Sequence, residues 1–210
     1  MTLSTGRHKI ITMTKKNNTA PHHHGNLREA LINAGLELLE TGGTQALTLR
    51  KCAALAGVSH AAPANHFNGL ISLKVAIMAR GHFMFTEAMQ QANAQAETSP
   101  WNQLNATCEA YITFARTHKT LFHLMFQSGC EELEGADKQS MSENQQACEA
   151  SYGTLQQVCL PFEHTGNNAL NTETMVWSLV HGYAMLFADK DCAMQDVPEF
   201  SEILPRLKLK

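Results

Sequence analysis

Hydrophobic residues recur along most of this chain at helical spacing. Leu27, Leu31, Ala34 and Leu38 fall at i, i+4, i+7 and i+11, which predicts an amphipathic helix over about 27–40, ended by Gly42-Gly43. A short helix should follow over 49–56, with Thr48 as its N-cap and Leu49, Ala53 and Ala56 on its apolar side. Gly57 stands where a helix end needs a residue tolerant of the left-handed conformation. Val58 can plug the gap to a second short helix over about 60–67, which Ser59 can cap. After Asn68-Gly69 a long helix is expected from Leu70 through Ala96. Ser99 and Pro100 supply a cap and a first-turn proline for another over about 101–117. Further helices are expected at 119–127, 138–160 and 172–189, with a short one after Pro198, and residues 128–137 and 166–168 read as loops. No stretch alternates as a strand would and no segment repeats. The expected fold class is all-α.

Two short helices joined by a glycine-containing turn can lay the second helix in the major groove of DNA. Ala-Gly-Val-Ser at 56–59 would also suit a plain corner between helices. Leu-Thr-Leu-Arg before it and Pro-x-x-His-Phe after it favour DNA binding. With His23-His24-Gly25 and the helix Leu31–Glu40, these segments resemble the N-terminal DNA-binding domain of TetR (tetracycline repressor) family regulators over roughly residues 22–82. The resemblance implies an all-helical homodimer with a divergent C-terminal ligand-binding domain, in most cases a repressor released by a small molecule. The expected organisation is a basic arm over 1–21, the helix-turn-helix domain over 22–82, and a ligand-binding and dimerisation domain over 83–210.

Charge divides the chain in the same place. Residues 1–82 hold nine basic and three acidic residues, a net of +6, and the remainder holds seven basic and sixteen acidic, a net of −9. The overall −3 therefore conceals a basic front and an acidic back. DNA affinity depends on the cations that face the duplex, so the local field matters more than the total. The polar arm carries four of those cations and no acid. It suits either a solvated tail or an arm that reaches into the minor groove.

The resemblance weakens within the second helix of the motif. Where the family has a phosphate-contacting Tyr this chain has Ala64, where a basic or aromatic residue is common it has Asn65, and where Lys opens the next helix it has Leu70. A lost cation reduces counterion release and a lost neutral contact loosens register, together on the order of 1–3 kcal/mol. The remaining candidate DNA contacts are Thr48, Arg50, Ser59, His60, Asn65, His66 and Lys74. Asn65 is suited to an adenine edge. His66, by the family pattern, packs more than it reads bases.

In the back half, Trp177, His181 and Gly182 form the tryptophan–histidine–glycine pattern of one TetR subfamily, which extends the resemblance to most of the chain. Their helix could be a dimer seam, a pocket wall or simply core. By family analogy its stripe Val176, Leu179, Val180, Tyr183, Leu186 and Phe187 is assigned to the dimer interface. Residues 111–126 carry aromatic and methionine side chains at helical spacing, which make core or line an adaptable apolar pocket. Phe114, Phe122, Met125, Trp177 and His181 are the expected pocket lining, for a small and substantially apolar effector.

Other classes find less support. There is no nucleophile elbow, Gly-rich phosphate loop or H-E-x-x-H pair, so no enzyme is expected. No cofactor or metal site is expected either, and the run His22-His23-His24 has nothing to fix one coordination geometry. No apolar run approaches the ~20 residues of a membrane helix. The N-terminus lacks a secretory apolar segment, so a cytoplasmic protein with reduced cysteines at 52, 108, 130, 148, 159 and 192 is expected. Two alternatives share the same scaffold. One is a thiol- or metal-responsive regulator, requiring Cys108, Cys130, Cys148 and Cys159 to converge. The other is a dimeric small-molecule-binding protein with weakened DNA binding.

Overall fold

The computed structural model describes residues 27–127, 133–164, 171–187 and 197–210. The helices are α1 (Leu27–Ala46), α2 (Leu49–Leu55), α3 (Gly69–Gln95), α4 (Pro100–Thr117), α5 (Lys119–Gln127), α6 (Lys138–Cys159), α7 (Asn171–Phe187) and α8 (Phe200–Ile203), with a 3-10 turn at Ala62–Asn65. Among the described residues the only β pairing is an isolated antiparallel bridge between Phe162 and Leu209. The all-α class is as expected.

Local chemistry sets most boundaries. Thr48 caps α2 as expected, its Oγ1 accepting from Lys51 N at 3.2 Å. Gly57 has φ +71°, the left-handed conformation a helix end requires. The break expected at Gly42-Gly43 lies at Gly43 (φ +71°, ψ −177°), although a further turn continues to Ala46. Pro100 occupies the first turn of α4, but Ser99 at the cap position makes no side-chain capping bond.

The second helix of the motif differs from expectation. In place of an α-helix over 60–67 there is one 3-10 turn, begun at Ala61 without a side-chain cap. Pro63 accounts for this. It has no N–H to offer the Ser59 carbonyl, and its ring crowds that carbonyl in an α-helix. Ser59 O instead accepts from Ala62 N at 3.0 Å, and Ala61 O from Ala64 N at 3.2 Å, both i to i−3 bonds. Ser59 thus serves the turn through its backbone.

α3 is the spine. It runs unbroken across the domain boundary expected at 82/83 and buries Leu73, Ile77, Phe85 and Met89. Fully burying side chains of this kind contributes about 1.5–3 kcal/mol each. Gly81 lets α5 approach closely, since a Cβ there would sit 2.6 Å from Met125 Sδ and 3.0 Å from Leu121 Cδ1. α6 lies along α3 and parallel to it: Asp137 meets Ser72, Ser151 meets His82, and Thr154 meets Gln90, both numbers rising together.

Candidate DNA surface and ligand cavity

Arg50, Ser59, His60 and Asn65 are exposed on the helix-turn-helix end, while Thr48, His66 and Lys74 are half-buried. Among the described residues Arg50 and Lys74 make no ion pair, and neither does Lys51, an exposed cation beside Arg50 that was not among the expected contacts. Its signal was available, since it lies one position after Arg50 in the same short helix. Thr48 spends its hydroxyl on capping α2. Two other cations of the basic front are committed elsewhere: Arg80 pairs with Glu29, and Arg28 pairs with Glu143 of α6 at 2.6 Å. The basic arm lies outside the described residues.

Arg28 belongs to a clamp between the helix-turn-helix end and α6. Its guanidinium also donates to Ser140 Oγ at 3.2 Å and stacks over the Phe67 ring at 5.1 Å. Ser140 N and Oγ both donate to the Asp137 carboxylate, which caps α6. These bonds hold the Asp137 carboxyl below its ordinary range despite the opposing effect of partial burial. Asp137 N donates to Ser72 Oγ at 2.9 Å, and Asn68 Nδ2 donates to Gly135 O at 3.2 Å. α1 and α3 are therefore both fastened to the start of α6.

Further along α6 lies a cavity of about 270 Å3, lined by Phe85, Tyr111, Phe126, Cys148, Glu149, Ser151, Tyr152, Leu155 and Trp177. Five of these residues are on α6. Edge-to-face packing sets the aromatic wall, with Phe85 and Tyr111 centroids 4.6 Å apart and Tyr152 and Trp177 5.6 Å apart. At its edge a hydrogen-bonded chain joins α6 to the spine. Ser151 Oγ donates to Cys148 O at 2.8 Å, so at 3.1 Å it accepts from His82 Nδ1. Burial lowers the His82 pKa to about 4, which keeps that imidazole neutral. Burial also lowers that of His181, whose Nδ1 accepts from the Tyr111 hydroxyl at 2.8 Å.

Among the residues expected to line the pocket, Trp177 does so, and His181 stands behind it, bonded to Tyr111. Phe114, Phe122 and Met125 do not line this cavity, although Phe114 borders a groove between α3 and α4. They are buried in the core behind the lining, Phe114 5.0 Å from Phe85 and Phe122 4.7 Å from Phe126 between ring centroids. Helical spacing shows that side chains share a face without showing which helix covers that face. The lining residues of α6 were missed because polar Glu149 and Ser151 interrupt any apolar pattern there.

The assigned dimer stripe needs a similar correction. Val176, Val180 and Tyr183 are buried by their own chain, and the Tyr183 hydroxyl donates to Pro198 O at 3.0 Å, so a second copy could not touch them. Leu179 and Phe187 are half-buried, Phe187 packing on Tyr183, while Leu186 is 67% exposed. The stripe faces inward because α7 packs on α4, leaving Leu186 as its outward member.

Three thiols, those of buried Cys108 and Cys159 and of exposed Cys148, are held towards their protonated forms. Burial pushes the Cys159 pKa up to about 12 and raises those of Cys108 and Cys148, Glu173 and Glu149 adding to the effect at Cys159 and Cys148 respectively. Cys130 and Cys192 lie outside the described residues. Among the described residues no group of three His, Cys, Asp or Glu side chains could hold a metal ion, and no helix is long and apolar enough to cross a membrane.

Comparison with known proteins identifies the scaffold. Residues 104–204 match the family model described as the tetracyclin repressor-like C-terminal domain. The structure of a protein of unknown function from Rhodococcus sp. RHA1 is 30% identical, with a TM-score of 0.66 over 87% of this chain and 92% of that one. PfmR, a TetR family transcriptional regulator from Thermus thermophilus, shares the fold at TM-score 0.56 and 16% identity over 76% of this chain and 85% of that one. The chain belongs to the TetR family. A regulatory protein of the TetR family from Rhodococcus RHA1 aligns likewise, at TM-score 0.56 and 18% identity over 80% of this chain and 88% of its own. No curated protein matches the sequence. Within this TetR-family chain, the helix-turn-helix end meets the start of α6, and the cavity lies along the later turns of the same helix.

Proposed function

We propose that this chain is a homodimeric transcriptional repressor whose hold on an operator duplex is released when a small, largely apolar effector fills the α6 cavity. The observation that carries this reading is the double engagement of α6. From its middle onward it supplies Cys148, Glu149, Ser151, Tyr152 and Leu155 to the cavity, and its start holds Arg28 and Ser72. A ligand seated on the middle of a stiff helix shifts its end, and with it the angle of the DNA-binding end. In a dimer that changes the spacing of two heads relative to successive half-sites. Arg50 and Lys51 supply phosphate contacts, and Ser59, His60 and Asn65 present polar groups on the same motif.

The test is binding of the purified protein to a duplex from upstream of its own gene across a salt series. Saturable binding that exceeds random duplex is expected, and Arg50→Ala and Lys51→Ala should each reduce the log–log salt slope by about 1.8, since each removes one cation from both heads of the dimer. Arg28→Ala should leave binding to DNA and to effector in place while weakening the effect of one on the other. Weak, equal binding to all duplexes would instead support a dimeric small-molecule-binding protein. That reading is favoured by one observation, the 3-10 turn carrying Ala64 where a regular recognition helix was expected.

A further inference from the structure

Five of the side chains lining the cavity are aromatic, and the one charged residue among them is an acid, Glu149. It is exposed, and its carboxylate accepts from Gln145 Nε2 at 2.9 Å. A second carboxylate lies directly behind the lining. Tyr152 donates its hydroxyl to Glu173 Oε1 at 2.8 Å, and Glu173 is only 6% exposed. Among the described residues neither carboxylate is paired with Lys or Arg. The nearby imidazoles of His82 and His181 add no positive charge, because burial favours their neutral forms. Among the described residues the formal charges around the cavity are thus all negative.

An anionic ligand entering here would lose its water without gaining a cationic partner, which is costly. A cation would find the Glu149 carboxylate, a second carboxylate behind Tyr152, and aromatic rings, whose faces carry negative electrostatic potential. Resting on the reading of this cavity as the effector site, we propose that the effector is a small lipophilic cation, an alkyl- or arylammonium. Its apolar body packs against Phe85, Phe126 and Leu155, and its ammonium sits among Trp177, Tyr152 and Glu149. The volume of about 270 Å3 lies just below the usual range for small-molecule pockets, roughly 300–1,000 Å3, and fits one ring with a short chain.

Three probes with one apolar body test this: phenylbutylammonium, phenylbutanol and phenylbutyrate. The chain has two tryptophans, Trp101 and Trp177, so Trp101→Phe leaves the cavity's own as the sole indole reporter. Titration of that variant should show phenylbutylammonium quenching at concentrations about tenfold lower than phenylbutyrate, with the alcohol between them. Glu149→Gln, an exposed substitution, should shrink the preference for the cation over the alcohol severalfold. Equal affinity for all three, or preference for the acid, would overturn the cationic assignment and leave the cavity reading standing. Failure of all three to quench would overturn the cavity reading as well.

Discussion

The helix-turn-helix end and the cavity end handle polar chemistry in opposite ways. At the first, Arg50 and Lys51 stand in water on a helix of seven residues, held by one threonine cap and one left-handed glycine. At the second, His82, Ser151, Glu173 and Tyr111 are buried, and each has a hydrogen-bond partner on another helix. An exposed phosphate contact needs only a cation and a place to stand. A buried polar group must be satisfied from elsewhere in the fold, because leaving it unpaired costs about 1–3 kcal/mol. The first end can therefore vary residue by residue, whereas the second changes only as a unit. That difference suits the regulator proposed above, in which one end reads a sequence and the other reads a molecule.

The sharpest test of this contrast removes a ring from the buried end. Phe85 is 2% exposed and packs against Tyr111, Phe114, Phe122 and Phe126. Phe85→Ala should cost about 3–5 kcal/mol in chemical denaturation, lowering the midpoint for the whole chain. A loss confined to the cavity's local order would break the comparison.

Acid provides the next largest effect. The folded His82 pKa of about 4 lies below its ordinary value of 6.5, so between these values the unfolded chain binds more protons than the folded one. Stability is then complete above pH 6.5 and falls as pH drops towards 4, by on the order of 3 kcal/mol in total. His82→Leu should flatten that part of the stability–pH curve. An unchanged slope would mean that His82 is not the group responsible.

The smallest effect belongs to the exposed end. Thr48→Ala should cost about 1 kcal/mol. Hydrogen exchange should show the loss concentrated in the amides of α2, and Thr48→Ser should restore most of it. Global destabilisation as large as that of Phe85→Ala would erase the distinction between the two ends.

What the sequence determined alone was whatever depends on neighbours in the chain. The apolar period placed α3, α4, α5 and α6 to within a residue or two at each end, and Thr48 and Gly57 marked the turn of the motif by their own conformational preferences. Pro63 sits in that same local grammar. Its missing N–H forbids a full second helix, so the 3-10 turn was readable in principle. Tertiary structure alone decided which face of each helix met which neighbour. Val176, Val180 and Tyr183 have the spacing of a seam whether the partner lies in the same chain or in a second copy, and packing chose the same chain, through α4 and, at Tyr183, Pro198 and Phe200. The cavity likewise draws on α3, α4, α5, α6 and α7, residues far apart in sequence that only the folded core brings together. Arg28 shows the same limit in a single side chain, for nothing near it in sequence points to Glu143, the residue that ties the helix-turn-helix end to α6.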